Sequence, residues 1–295
     1  MYKLIFILSA CCLNFCTFKE KTMDFSIKVS NGLVLRGLIS SPGEKIRAVI
    51  IFIHGLGEHI HRYTDWYGSL AKERIGFTGV DLPGHGLSDG KRGHIRSFAV
   101  TDDMIEIIHD SVKKTFPGIP VFFYGHSLGG GIALDYLIRK KPKIKGAIIT
   151  SPWLKLSFEP AKAKLLLASV TSKVLPGLIQ QSGLVVEHIS HDKEVVRKYR
   201  ADPLVHDKIS VALFDSAMKA AGQTLEHASD LAAPLLLMHG SEDMICSPEG
   251  SRQFASASEL VELRIWEGGY HELHNELFKK DVFAAIIEWI NSRIN

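Results

Sequence analysis

The sequence predicts an α/β fold: a mostly parallel central sheet with helices on both faces and a helical insertion late in the chain. Three observations lead there. From Met23 onward, short runs rich in β-branched and aromatic residues alternate with segments of helical periodicity, the order that winds helices around a parallel sheet. Runs such as AVIIFIH and PLLLMHG are apolar without alternation, as strands covered on both faces are. The alternation lapses once, over 151–233, where helical patterns dominate and strand-like runs are few.

The elements follow in order. FSIKVS and LVLRGLI alternate in hydrophobicity across Asn31-Gly32, a hairpin signature. AVIIFIH is the first doubly covered strand. Helical periodicity over 66–74 leads to a short strand over 77–80. Residues 97–116 read as a helix closed by Pro117-Gly118, since proline and glycine end helices. VFFY is the next strand, 128–140 the next helix and GAIIT the strand after it. Beyond the insertion come PLLLMHG, a helix over 248–257, VELRIW and an amphipathic helix over 281–294. Inside the insertion, the Leu- and Val-rich stretch 162–180 predicts a helix standing over the ends of the sheet strands.

Residues 1–22 stand outside this pattern. Lys3 precedes an apolar run over 4–8 that is too short to span a bilayer as a helix and fits the core of an export signal. Leu8-Ser9-Ala10-Cys11 resembles the lipobox of bacterial lipoproteins. That resemblance implies cleavage before Cys11, a lipid on Cys11 and anchorage in the cell envelope. A start at Met23 would instead give a cytoplasmic protein. The domain is therefore read over 23–295. Cys11, Cys12 and Cys16 lie in the leader and Cys246 alone in the body, so the body forms no internal disulfide. The net charge is +3, with Lys and Arg scattered among Asp and Glu, a pattern that argues against nucleic acid as a partner. No H-E-x-x-H or comparable cluster occurs, so no metal is expected, and the chemistry below calls for no organic cofactor.

VFFYGHSLGGGIALDYL places Ser127 between Gly125 and Gly129 where a buried strand meets a helix. This is the sequence form of a nucleophile elbow. The chain reverses sharply, the serine takes a strained backbone so that Oγ stands clear, and side chains two residues to either side would clash. The new helix points its N-terminus at developing negative charge. A hydroxyl needs a base to take its proton, and the base an acid to orient it. After such an elbow the chain order is acid, then histidine, each on a loop behind a strand. HGSEDMI offers Asp243 as the acid with Glu242 as its rival, and GGYHELHNE offers His271 as the base with His274 as its rival. The oxyanion needs two backbone N–H donors. Leu128, directly after the nucleophile, supplies one, and Leu56, in the loop His54-Gly55-Leu56-Gly57, the other. His54 is expected to hold that loop and His126 to pack. The remaining histidines are assigned to solvated surfaces or structural hydrogen bonds.

Seven blocks occur in one order: HGLGEHIHRY, DLPGHGLSDG, GHSLGGGIAL, SPWLKL, YRADPLVHDKIS, HGSEDMI and GGYHELHNE. Over about 25–294 the chain resembles the monoacylglycerol lipase and lysophospholipase group of α/β-hydrolases. The resemblance implies an α/β-hydrolase fold with a helical cap over about 151–233. It also implies cofactor-free hydrolysis of a lipid ester, monoacylglycerol first, and contact with a membrane surface through the anchor and the cap. It implies that Glu58, Arg62 and His274 hold the glycerol end and that Tyr199 lies near the pocket. Paired donors and acceptors at the mouth of an apolar channel suit that task. A loop-stabilising ion pair is the other reading of Glu58 and Arg62, and a supporting hydrogen bond the other reading of His274. Cys246, three residues after the acid, matches a cysteine tied to thiol-reagent sensitivity in relatives, with a buried bystander as the other reading. The stretch 162–195 matches no pattern, so acyl length and head group stay open. Lysophospholipid or simpler esters, a peptide substrate and non-catalytic lipid binding are the other readings. A carboxylate at the elbow would mark a dehalogenase or epoxide hydrolase, and the residue there is Ser127.

Overall fold

The computed structural model describes residues 21–42, 45–158 and 162–294. In chain order its strands and helices are β1 (Lys21–Lys28), β2 (Val34–Ser41), β3 (Ala48–Ile53), α1 (Thr64–Lys72), β4 (Ile75–Val80), α2 (Ala99–Thr115), β5 (Val121–His126), α3 (Leu128–Lys140), β6 (Gly146–Thr150), α4 (Lys162–Val174), β7 (Ile179–Gln181), α5 (Lys193–Ala201), β8 (Lys208–Ser210), α6 (Val211–Glu226), β9 (Leu235–Gly240), α7 (Pro248–Ser256), β10 (Val261–Trp266) and α8 (Lys279–Ile294). The expected leader over 1–22, with its lipidation site Cys11, lies outside the described residues except for Lys21 and Thr22, which open β1.

Eight strands form one sheet in the order β1-β2-β4-β3-β5-β6-β9-β10. The hairpin β1–β2 and the pair β2–β4 are antiparallel, with Ile27 opposite Leu35. Every other pair is parallel. Strands β3, β5, β6 and β9 are buried at every residue, because helices cover both faces. Along β3, Val49, Ile51 and Ile53 join the core under α2, α3 and α6, while Ala48, Ile50 and Phe52 join the core under α1 and α8. This is the two-residue alternation of a strand serving two hydrophobic layers. Trp289 of α8 is fully buried against Phe122 and anchors that helix, since a buried aromatic contributes more apolar area than any aliphatic.

The stretch over 162–180 is not one helix. α4 stops at Val174 ahead of Pro176-Gly177, and Ile179–Gln181 form β7, antiparallel to β8. Proline cannot continue a helix, and the partner strand of β7 is too distant in sequence for periodicity to show. α6 packs on α3, with Leu213, Ala217, Ala220 and Ala221 in the main core. Gln180, Tyr199 and Ile209, from β7, α5 and β8, reach the space over Ser127 and form a cap. Among the described residues no helix is long and apolar enough to cross a membrane.

Candidate active site

Ser127 sits between β5 and α3 with φ 53° and ψ −119°, a strained conformation for a residue with a side chain. The surrounding glycines explain how the chain reaches it. A Cβ on Gly125 would lie 2.7 Å from the Gly129 carbonyl oxygen, and one on Gly129 would strike the carbonyl oxygens of Ile53 and His54.

The loops after β9 and β10 bring the other two groups to it. His271 Nε2 lies 2.9 Å from Ser127 Oγ, and His271 Nδ1 lies 2.7 Å from Asp243 Oδ2. The carboxylate fixes the tautomer: Nδ1–H donates to Asp243, which leaves the Nε2 lone pair facing the hydroxyl. Asp243 Oδ1 accepts the N–H groups of Ile245 (2.8 Å) and Cys246 (3.0 Å). Burial works against the charge on Asp243, yet His271 and His239 hold its carboxyl well below the usual range. Burial also works against a cationic His271, but the Asp243 carboxylate outweighs it and raises the imidazole above 6.5. Of the rivals, Glu242 is exposed, and His274 stacks on the Tyr63 ring at 4.7 Å. Neither hydrogen-bonds Ser127 or His271.

Sequence reasoning missed His239. Its Nε2–H is shared between Asp243 Oδ2 (3.0 Å) and the Cys246 carbonyl (2.9 Å), while Nδ1 accepts from the Ser251 hydroxyl (2.7 Å). It therefore holds the acid from behind. The available signal was a polar ring at the end of the apolar run PLLLMHG, four residues before the acid.

The loop after β3 passes against the nucleophile, with a Cβ on Gly55 falling 3.1 Å from Ser127 Cβ. Among the described residues, neither the Leu56 nor the Leu128 N–H meets a protein acceptor, as donors reserved for an oxyanion would be. His54 pins this loop: Nδ1–H donates to the Gly55 carbonyl and Nε2 accepts the Leu82 N–H, both at 2.8 Å. Burial drives its pKa down to about 3, so it stays neutral. His126 bonds Thr150 Oγ1 at 3.1 Å.

A cavity of about 910 Å³ opens over Ser127, walled by apolar side chains that include Leu56, Leu156, Phe158, Ile189, Ile209 and Phe214. Glu58, Tyr199 and Glu272 give it a polar corner. Glu58 Oε1 accepts the Gly55 N–H at 2.6 Å and the Tyr63 hydroxyl at 2.9 Å, and its Oε2 accepts from Arg62 at 2.6 Å. Arg62 forms a two-pronged pair with Glu272 at 2.8 Å on each prong and lies over the Tyr199 ring at 4.6 Å. Of the residues expected at the glycerol end, Glu58 lines the cavity, while Arg62 and His274 are not among its lining residues. The guanidinium is occupied by two carboxylates and an aromatic face. The His274 ring is packed between Tyr63 and His126, and burial holds its pKa at about 3. Cys246 lines the cavity, but burial pushes its thiol up, the opposite of an activated thiol. No group of metal-ligating side chains occurs among the described residues.

The family model described as serine aminopeptidase, S33, matches residues 44–277. The chain belongs to this family of α/β-hydrolases. It is 32% identical over 262 residues to a monoacylglycerol lipase of Mycolicibacterium smegmatis, covering 86% of this chain and 91% of that one. It is 35% identical over 258 residues to an abhydrolase domain-containing protein of Dictyostelium discoideum, where it spans only 27% of the longer protein. The crystal structure of the Paleococcus ferrophilus monoacylglycerol lipase is similar with a TM-score of 0.77 at 30% identity, over 93% of this chain and 99% of that one. This hydrolase has the fold and the serine, histidine and aspartate that acyl transfer through a serine ester requires.

Proposed function

We propose that the protein hydrolyses monoacylglycerols to fatty acid and glycerol through an acyl-enzyme on Ser127. The observation that carries this reading is the cavity: a largely apolar chamber of about 910 Å³, roomy enough for an acyl chain, that meets a polar corner at the nucleophile. His271 takes the hydroxyl proton as Ser127 attacks the ester carbonyl, and Asp243 stabilises the imidazolium. The Leu56 and Leu128 N–H groups receive the oxyanion. The C–O bond to glycerol breaks as His271 protonates the leaving oxygen, and water repeats the sequence to release the acid. Glu58, whose carboxylate lines this corner beside that of Glu272, offers an acceptor to the hydroxyls of the leaving alcohol, and the named lipases among the relatives support the assignment. The two carboxylates also suit an ammonium, so a peptide N-terminus is the second reading, in keeping with the family's description.

Fatty acid release from monoacylglycerols, lysophospholipids and aminoacyl anilides, offered side by side, tests this. Preference for monoacylglycerol is the expected outcome. Preference for the anilide would move the protein to the peptidases.

Membrane contact through the cap belongs to the same proposal. Val170, Val174, Leu175 and Leu178 are each at least half exposed around the end of α4, and apolar surface of this kind marks an interaction site. The double substitution Val174→Asp, Leu175→Asp is expected to weaken binding to phosphatidylcholine vesicles about tenfold, some 1.4 kcal/mol, without changing turnover of soluble p-nitrophenyl butyrate. Unchanged vesicle binding would assign the patch another role. Anchorage at the cell envelope through Cys11 remains part of this reading. Cys11→Ser is expected to move the protein from the membrane to the soluble fraction, and an unchanged distribution would favour a start at Met23.

A further inference from the structure

The geometry points to Glu272 as a positioning residue that fixes the oxyanion loop relative to the catalytic histidine through the bridge Glu272–Arg62–Glu58. This rests on serine-ester chemistry at Ser127 and not on the identity of the leaving alcohol.

The bridge connects two places, each one residue from a reacting group. At one end Glu58 holds the Gly55 N–H at 2.6 Å, and the next residue is Leu56, the expected oxyanion donor, whose N–H meets no protein acceptor among the described residues. At the other end Glu272 follows His271 directly. Between them one nitrogen of Arg62 bonds both carboxylates, Glu58 at 2.6 Å and Glu272 at 2.8 Å, while its second terminal nitrogen completes the fork on Glu272 at 2.8 Å. The side chains are 3%, 9% and 4% exposed for Glu58, Arg62 and Glu272, so water does not loosen the arrangement. Glu272 is itself held on two further sides. Asn275 donates to its Oε2 at 2.7 Å, and its own N–H donates to the Ile189 carbonyl of the cap at 2.7 Å.

Stability does not account for this arrangement. A buried carboxylate–guanidinium–carboxylate triad brings a desolvation penalty that apolar packing of equal volume avoids. What a rigid planar fork supplies is fixed distance and angle. Acyl transfer requires the oxyanion donors and the base in place before charge develops, and a displacement of about 1 Å costs on the order of 100-fold in rate.

The test uses the full chain, with turnover expressed per active site counted by fluorophosphonate labelling of Ser127. Glu272→Gln keeps the volume and removes the charge. It is expected to lower kcat about 10- to 100-fold on both p-nitrophenyl butyrate and monoacylglycerol, with KM within about twofold. Arg62→Lys keeps a cation but loses the fork, and should show the same pattern, so the prediction stands if one variant fails to fold. The double variant should be no slower than the worse single, as members of one unit behave. A rise in KM confined to monoacylglycerol with kcat preserved would overturn the proposal and make Glu272 a head-group ligand. A lower melting temperature with unchanged kcat would reduce the bridge to a structural contact. Wild-type protein that neither labels at Ser127 nor turns over either ester would remove the serine-hydrolase reading itself, a result seen before any variant is made.

Discussion

Asp243 accepts four hydrogen bonds, from His271, His239 and the N–H groups of Ile245 and Cys246. Such a carboxylate is held in one rotamer and stays ionised. His239→Ala removes one charge-assisted bond and leaves Ser251 without its acceptor. The expected loss is about 1.5–3 kcal/mol of stability together with a fall in kcat of about tenfold, read by urea denaturation and ester turnover. An unchanged kcat would confine His239 to packing. Ser127→Ala should separate the two effects in the other direction. Its Oγ bonds the His271 ring and lies beside the Cys246 thiol, so hydrolysis is lost while the urea midpoint barely moves.

At the level of elements, the elbow and the cap decide the geometry. β5 ends and α3 begins around a serine at positive φ, and Gly129 gives the room that the Ile53 and His54 carbonyls take. Gly129→Ala forces these carbonyls apart and is expected to destabilise by about 1–3 kcal/mol or more and to remove activity, measured on soluble protein by urea midpoint and Ser127 labelling. Normal labelling in that variant would show the elbow to be more tolerant than its contacts indicate. The cap is tied to the oxyanion loop as well: His206 N–H donates to the Gly57 carbonyl at 2.9 Å, and His59 Nε2 lies 2.9 Å from Asp202 Oδ2. The roof of the cavity and one wall of the catalytic centre therefore share a contact.

Across the whole molecule, the parallel strands deliver the loops after β3, β5, β9 and β10 to one edge of the sheet, where open α/β sheets carry their sites. Burying so much imidazole there makes stability depend on pH. Burial holds His54 and His274 at about 3 and keeps His85 and His126 well below 6.5. Unfolded, each takes up a proton near 6.5. Below that pH the unfolded chain binds more protons than the folded one, so stability falls with pH down toward about 3 for His54 and His274. His271 works the other way. Its raised folded pKa contributes stability that is complete below about 6.5 and lost as pH rises through the folded value. With the depressed imidazoles in the majority, the urea midpoint should drop from pH 7 to pH 5. A flat or rising midpoint would show that these rings are solvated. Activity needs neutral His271, so kcat/KM should decline on the acid side of a pKa above 6.5.

The sequence by itself determined the sheet, most helix boundaries and the order serine, acid, histidine, because these depend on local pattern: unbroken apolar runs, 3.6-residue periodicity, glycines flanking one serine. Leu128–Lys140 was legible to the residue. Only the tertiary structure decided what long-range pairing controls. The strand β7 exists because β8 lies beside it. His239 supports Asp243 from the end of a buried strand. Arg62 turns to two carboxylates, one of them 210 positions away in sequence. Periodicity reports which face of an element is buried. It does not report which polar group from a distant loop will be buried against it, and in this protein that choice sets the polar corner of the site.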